Sequence, residues 1–172
     1  MATNAQVANF KATGRPARAI NPAALMNGQS SAVVQQVLAW AEPLLKDGPV
    51  LVYSTAEPEA VKAVQAPLGV AEAGALVEHA LAAVARGLVD LGVKQLVVAG
   101  GETSGACVQA LGIAQLQIGP QIDPGVPWCH APSPKGQADG GVHITRKTGK
   151  FGTEDFFSKA CTASACTPPH TR

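Results

Sequence analysis

Aromatic residues are scarce in this sequence, and their scarcity limits the kinds of core that the chain can build. Only 4% of the 172 residues are Phe, Trp or Tyr, although 47% are hydrophobic. A core of this composition is filled mainly by Val, Leu, Ile and Ala, which favours helices packed on a sheet over an aromatic-rich β-sandwich. The length is sufficient for one domain with a substantial core.

An excess of charge of one sign and long hydrophobic runs are also missing. The 13 Lys and Arg residues nearly balance 12 Asp and Glu, for a net charge of +1, so no basic surface for nucleic acid is indicated. No apolar run approaches the roughly 18 residues of a membrane span. The opening segment MATNAQVANFKATGR lacks the apolar stretch of a signal peptide. We therefore expect a cytoplasmic protein that binds neither nucleic acid nor membrane.

Cysteine is too rare for a disulfide scaffold, since the chain has only four. The spacing of Cys129 and His130, and of Cys161 and Cys166, does not match a standard zinc finger, so no metal-ligating cluster is predicted. Cys107 is expected to be a small packing residue with a buried, inert thiol.

Helical and strand patterns alternate along the chain. Helices are predicted over 2–14, 31–45, 57–66, 70–92, 103–112 and 153–161, and strands over 48–55, 94–101, 114–119 and 141–147. This alternation indicates an α/β fold, in which helices pack on a layered sheet within a single domain.

Local signals predict the ends and connections of these elements. Ser30 or Ser31 is expected to cap the second helix, and Thr153 the last helix, whose first turn would then carry acids. Residues 15–28 are punctuated by proline and are predicted to form an extended connector. Residues 120–141 are dense in Pro and Gly and are predicted to be a loop region with one short strand near 126–130.

The segment VVAGGETSGACVQALGI, residues 97–113, runs from a predicted strand through three glycines into a helix. The first N–H groups of a helix have no intrahelical partner, and glycines allow a phosphate to approach the backbone closely. Thr103 and Ser104 add hydroxyl donors, and Glu102 could orient a water or a metal, or pair with a lysine. The segment matches neither a Walker A loop nor the G-x-G-x-x-G fingerprint. An anion site and a purely structural turn are equally compatible with these residues.

Two further segments combine glycine or proline with residues that could contact a nucleotide. In RKTGKFG, Lys147 and Lys150 flank Gly149, which suits a polyphosphate, although a turn with two solvated lysines is favoured when the segment is taken alone. In DPGVPW, Trp128 could pack on a base or on the core, and the usual burial of tryptophan favours the core.

Together these three motifs resemble the C-terminal half of the four-carbon acid sugar kinases, in the same order and at the same spacing. That family was once described as a domain of unknown function and as type III effector-like proteins. The opening ATNAQVANF is also similar. The resemblance implies that residues 1–160 form the C-terminal ATP-binding domain, that 161–172 form a loose tail, and that the N-terminal sugar-acid-binding domain is absent.

The resemblance also implies an activity, namely ATP-dependent phosphorylation of a threonate, erythronate or 3-oxo-tetronate type of acid, with ATP and Mg²⁺ as cofactors. The catalytic base is expected in the missing domain. Residues 100–104 match the family's phosphate loop, and Gly149 falls in its second ATP-contacting turn. The predicted cofactor-binding set is Gly100, Gly101, Glu102, Thr103, Ser104, Gly105, Lys147 and Gly149.

The chain departs from the family pattern in ways that affect its expected activity. The family's Ser-Cys-Ser segment would precede Ala2, and Lys150 replaces an asparagine. We expect the isolated chain to be an inactive half of a kinase that binds ATP weakly. The alternatives are a non-catalytic nucleotide- or phosphate-binding module and an effector-like interaction protein. An apolar surface left by a missing domain would favour a homodimer.

Overall fold

The computed structural model describes residues 2–54, 69–132, 140–148 and 150–163. The predicted helix 57–66 and the candidate site residue Gly149 lie outside these residues. None of the helices in the described ranges combines the length and apolar character needed to cross a membrane.

Helices and strands alternate as the sequence pattern predicts. The helices are α1 (Ala2–Ala12), α2 (Ser30–Leu44), α3 (Val70–Asp90), α4 (Gly101–Ala110) and α5 (Phe156–Thr162). The strands are β1 (Ala17–Ala19), β2 (Leu51–Tyr53), β3 (Gln95–Ala99), β4 (Gln117–Asp123), β5 (Val126–Ala131) and β6 (Val142–Lys147). Two short helical segments, Pro22–Ala24 and Leu25–Gln29, lead into α2.

The strands form two sheets. β1 and β2 pair in parallel, and the second sheet has the order β3-β6-β5-β4. In the second sheet β3 is parallel to β6, and the other neighbours are antiparallel. The α/β class with helices packed on a layered sheet is therefore confirmed.

Helix α3 packs against both sheets on one face of the domain. Its buried residues Ala80 and Val84 pack in a cluster with α2 and β2, while Ala82 and Ala85 pack in a cluster with β3 and α4. This continuous contact explains why the longest apolar helical pattern of the sequence is found here.

Helices α1 and α5 cover the opposite face. The rings of Phe10 and Phe157 meet edge to face at 6.5 Å between centroids. Both rings belong to a cluster that also contains Tyr53 of β2 and Val97 of β3. Four of the few aromatic residues, Phe10, Tyr53, Phe156 and Phe157, are thus concentrated between this helix pair and the strands.

The connector predicted over 15–28 is more regular than expected. It contains β1, which pairs with β2, and a helical turn that starts when the Asn21 side chain accepts a hydrogen bond from the Ala23 N–H at 3.0 Å. Pro22, at the first helical position, has no N–H to satisfy, so it starts a helix here and does not prevent one.

The loop predicted over 120–141 is wrong at its start, where a strand continues to residue 123, whereas the short strand predicted near 126–130 is confirmed. β4 continues through Pro120 to Asp123, and β5 extends to Ala131. Proline is tolerated because β4 is the outer strand of its sheet and pairs irregularly there. Residues 133–139 lie outside the described part of the chain.

The predicted serine and threonine caps are also wrong. α2 begins at Ser30 with Gln29 at its N-cap, and α5 begins at Phe156 with Asp155 at its N-cap, neither making a side-chain cap hydrogen bond. The Thr153 Oγ1 instead lies within hydrogen-bonding distance of carboxylate oxygens of Asp123 and Asp155, to either of which it can donate. α5 continues through Thr162, two residues into the segment predicted as a tail.

Two glycines of α3 provide a matched test of this packing. A Cβ atom at Gly74 would meet no other atom within 4 Å, whereas a Cβ at Gly87 would lie 2.8 Å from Leu38 Cδ2 of α2. We predict that Gly74→Ala stabilises the domain by about 0.5–1 kcal/mol through helix propensity. Gly87→Ala should lose that gain to overpacking, which typically costs about 1–3 kcal/mol.

Urea unfolding monitored by circular dichroism measures both changes. Equal stabilisation by the two substitutions would contradict the close contact between α2 and α3.

Candidate functional site

The glycine segment forms a sharp junction between β3 and α4. Gly100 adopts a φ of +119°, which L side chains rarely adopt, and serves as the N-cap of α4. Its N–H donates to the Lys147 carbonyl oxygen at 2.9 Å. The junction is therefore fixed to the carboxyl end of the neighbouring parallel strand β6.

Unpaired backbone donors are presented at this junction. The first helical hydrogen bond runs from the Ser104 N–H to the Gly100 carbonyl oxygen at 3.0 Å. The N–H groups of Gly101, Glu102 and Thr103 precede it and have no acceptor within the helix. Gly101 and Glu102 are exposed, and a Cβ at Gly101 would meet no protein atom within 4 Å. A ligand could therefore approach this backbone, with the helix dipole favouring an anion.

The two hydroxyl residues of the segment have different environments. Ser104 is buried, and its hydroxyl donates to the Gly100 carbonyl oxygen at 2.5 Å. This bond supports the glycine turn but commits the hydroxyl that was predicted to contact a ligand. Thr103 is half-buried and remains close to the turn, since its Oγ1 would lie 3.1 Å from a Cβ at Gly100. Gly105 is exposed one turn further along α4.

Lys147 lies at the same end of the sheet, opposite Ala99 in the β3–β6 register. Its side chain is only 2% exposed, and its Nζ donates to the Phe151 carbonyl oxygen at 3.2 Å and the Thr3 hydroxyl at 3.4 Å. Among the described residues no carboxylate pairs with it, and burial lowers its pKa. The expectation of a solvated lysine is therefore wrong for Lys147, whereas Lys150 is exposed.

Gln6 of α1 holds the turn that follows Lys147, a role that the sequence did not suggest. Its Nε2 lies within hydrogen-bonding distance of the carbonyl oxygens of Phe151, Gly152 and Thr153, at 3.3, 3.0 and 2.9 Å. Gln6 is 1% exposed, and its Oε1 has no partner among the described residues. A contact across nearly the whole chain length gives no local sequence signal.

Asp123 links the DPGVPW motif to the same turn. Its Oδ2 accepts the Thr153 N–H at 3.0 Å, and its Oδ1 lies 3.2 Å from Lys159 Nζ. Burial opposes ionisation of this carboxyl group, but the hydrogen bonds from Thr153 and Lys159 outweigh burial and hold the pKa of Asp123 below its usual range. The DPGVPW motif is thereby joined to the turn that follows RKTGKFG. The hydrogen bond from the Gly100 N–H to the Lys147 carbonyl oxygen joins RKTGKFG to the glycine segment.

Glu102 is accompanied by a second carboxyl group. Glu78 of α3 hydrogen-bonds to Glu102, and its pKa is raised first by burial and then by this neighbouring acid. Two adjacent carboxylates repel each other unless a proton or a cation lies between them. Glu78 was not singled out from the sequence because it lies in the middle of a long helix.

Trp128 and Cys107 are packing residues, as predicted. Trp128 is 1% exposed and clusters with Ala160, so its ring is not available to an external base. Burial raises the pKa of the Cys107 thiol to about 11, which makes the reactive thiolate rare near neutral pH.

An α/β domain with a strand–glycine–helix junction and a neighbouring buried lysine is suited to bind a phosphorylated ligand. The family comparison agrees with this class. The model of the nucleotide-binding C-terminal domain matches residues 1–157, and the chain belongs to that family.

Two curated relatives are named as kinases of a four-carbon sugar acid, which confirms the resemblance to the four-carbon acid sugar kinases. The chain is 55% identical over 94% of its length to a 3-oxo-tetronate kinase of Burkholderia multivorans, of which it covers 36%. It is 54% identical over 93% of its length to one of Pseudomonas fluorescens, of which it covers 35%. The chain thus spans about a third of the length of these relatives.

A solved structure supports the fold. A candidate tRNA synthase from Salmonella typhimurium superposes with a TM-score of 0.80 at 35% identity, over 93% of this chain and 37% of that one.

The Asp123 network predicts a pH-dependent stability. Because the pKa of Asp123 is lower in the folded state, its contribution is present at neutral pH and is lost as the pH falls below about 4. Asp123→Asn should lower the urea midpoint at pH 7 and make the midpoint less sensitive to acidification from about pH 5 to 3.

Asp90→Asn is the matched control, because Asp90 forms an ion pair with Arg86 at 3.2 Å in which both side chains are about half exposed to solvent. If the two variants showed the same pH profile, the Asp123 network would not anchor the turn.

Proposed function

We propose that this chain is the ATP-binding half of a kinase that phosphorylates four-carbon sugar acids. The observation that carries the proposal is that the N–H groups of residues 101–103, which have no acceptor within the helix, and the buried Lys147 lie at the same end of the sheet. Backbone donors and a lysine are the groups that hold phosphates in many phosphoryl-transfer sites.

The glycines determine how close a phosphate can come. Gly100 is required for the turn itself because of its positive φ, whereas Gly101 lies in open space in front of the first helical donors. A side chain at position 101 would occupy the volume that a phosphate group needs, without disturbing any protein contact.

Lys147 would supply the positive charge. A buried ammonium group whose partners within the described ranges are two neutral oxygens is poorly compensated for its lost hydration. A phosphate group within reach would provide that compensation. Thr3 and Phe151, which contact the ammonium, hold it at the edge of the sheet where the glycine junction lies.

Glu102 and Glu78 are the residues that would hold Mg²⁺. Their adjacent carboxyl groups supply the hard oxygen ligands that this ion prefers, beside the phosphate-binding helix terminus. When bound, the ion would neutralise phosphate charge during transfer. A cation held by Glu78 and Glu102 would also explain why the acidic residue Glu102 lies in a segment that otherwise suits an anion.

The acceptor acid and the catalytic base belong to the rest of the kinase. The described residues contribute phosphate-binding groups but no paired base and acceptor pocket beside them, and the relatives named as 3-oxo-tetronate kinases are about three times longer. We expect the isolated chain to bind nucleotide without phosphorylating a sugar acid. Turnover of a sugar acid by the purified chain would contradict this division of roles.

Gly101→Val tests the phosphate-binding role of the glycine junction. Because the Cβ atom of the new side chain would lie in open space, we predict little change in thermal stability but at least about tenfold weaker binding of Mg-ATP in isothermal titration calorimetry. Gly74→Val, on an open part of α3, is the control and should leave the affinity unchanged. Unaltered affinity in the Gly101 variant would exclude the proposed phosphate position.

Lys147→Met tests the buried cation separately. Methionine keeps most of the apolar stem, so the fold should be retained or stabilised once the uncompensated charge is removed. Mg-ATP affinity should fall about ten- to a hundredfold, since hydrogen bonds to charged groups are worth about 1.5–3 kcal/mol. The exposed Lys150→Met is the matched control. Equal affinities of the two variants would remove Lys147 from the site.

A further inference from the structure

A large cavity lies within the sheet layer, between the two sheets. It has a volume of about 820 Å³ and is lined by β2 on one side and β3 on the other. Val84 and Leu88 of α3 line it from one helical layer, and Val7 and Phe10 of α1 line it from the other. The cavity is therefore a gap in the middle layer of a three-layer domain, and we call it the interstrand cleft.

The β2 side of the interstrand cleft carries unpaired backbone groups. The Leu51 N–H donates to the Pro16 carbonyl oxygen at 2.9 Å, and the Tyr53 carbonyl oxygen accepts the Ile20 N–H at 2.8 Å. Successive residues of a strand direct their backbone groups to opposite sides. The N–H and C=O of Val52 therefore point away from β1 and into the cleft.

The β3 side of the interstrand cleft carries a matching row of backbone N–H and C=O groups. The Lys94 carbonyl oxygen accepts the His143 N–H at 2.8 Å, and the Gly100 N–H donates to Lys147. These even-numbered residues face β6, so the backbone groups of Gln95, Val97 and Ala99 face the cleft. Within the described part of the chain no strand pairs with this edge of β3.

Two facing rows of unpaired donors and acceptors, covered by apolar helices, define the shape and chemistry of a missing strand. Buried backbone groups without partners are costly, and an extended segment would satisfy both rows at once. A small apolar ligand would fill the volume but leave the backbone unpaired, and a nucleotide would place its charges among Val7, Phe10 and Val84. An apolar β-strand therefore fits better than either.

We propose that the interstrand cleft takes an apolar β-strand from the part of the kinase outside this domain, joining the two sheets into one. The curated relatives extend well beyond the region matched here, which covers 36% of the first of them. Thr3, in the first turn of α1, lines the cleft. A strand that leads into α1 would reach the cleft directly and would repeat the strand–turn–helix order of β3 and α4.

This arrangement would also affect the phosphate-binding residues. The strand would end beside Thr3, which contacts Lys147, and beside Ala99, which precedes the glycine junction. The proposal does not depend on ATP being the ligand, because it is carried by backbone pairing alone.

An N-terminal extension tests the proposal. The sequence Thr-Val-Val-Leu-Val-Thr-Gly-Ser is placed directly before Ala2, and a control of equal length, Thr-Pro-Val-Pro-Val-Thr-Gly-Ser, lacks N–H groups needed for pairing. Amide hydrogen exchange of Val52 and Val97 is measured by NMR in both proteins and in the unextended chain. We expect the strand extension, and not the control, to slow exchange of these amides at least about tenfold and to raise the urea midpoint.

The same exchange protection in both extended proteins, or in neither, would overturn the proposal. Sedimentation velocity over a concentration series adds a separate outcome. The unextended chain could form a dimer in which the amides of Val52 and Val97 are already protected from exchange. If the extension did not dissociate that dimer, a second copy of the chain would occupy the interstrand cleft, and the proposal would be wrong.

Discussion

The hydrogen bond from the Gly100 N–H to the Lys147 carbonyl oxygen, at 2.9 Å, is the constraint on which the arrangement of the site depends. It continues the parallel pairing of β3 and β6 by one residue beyond Ala99. Gly100 can then turn the chain sharply into α4 because its φ of +119° is available to glycine. The first donors of α4 and the side chain of Lys147 are thereby placed at the same edge of the sheet.

A second layer of contacts keeps Lys147 and its turn in place. Gln6 of α1 binds three consecutive carbonyl groups of the turn, and Asp123 binds Thr153 from the other side. The three motifs that are far apart in the sequence meet through these bonds. They do so through backbone atoms and buried polar side chains, so the motifs act as parts of one structural unit.

Much of the fold follows from local sequence patterns. The long apolar helix, the strands β2 and β3, and the glycine junction after β3 are all predicted, because period and turn residues are local signals. The capping of α2 and α5 is not predictable in this way, since Thr153 is drawn to Asp123 by tertiary contact. Pro120 misled the prediction of β4 because proline at a sheet edge costs little.

The candidate site is predicted less completely than the fold. Gly100 and Gly101 are found from glycine spacing, but the burial of Lys147 depends on its register opposite Ala99, which no local pattern reveals. Ser104 has a suitable hydroxyl in sequence, yet its position within α4 directs that group back to Gly100. Gln6 and Glu78 become visible only when α1 and α3 are packed.

An NMR titration of the chain with Mg-ATP tests the central claim most directly. Saturable shifts should be largest for the backbone amides of Gly100, Gly101, Glu102 and Thr103 and for the Lys147 side chain, because these groups lie at the same edge of the sheet. Saturable shifts centred elsewhere, or none at millimolar nucleotide, would contradict the account.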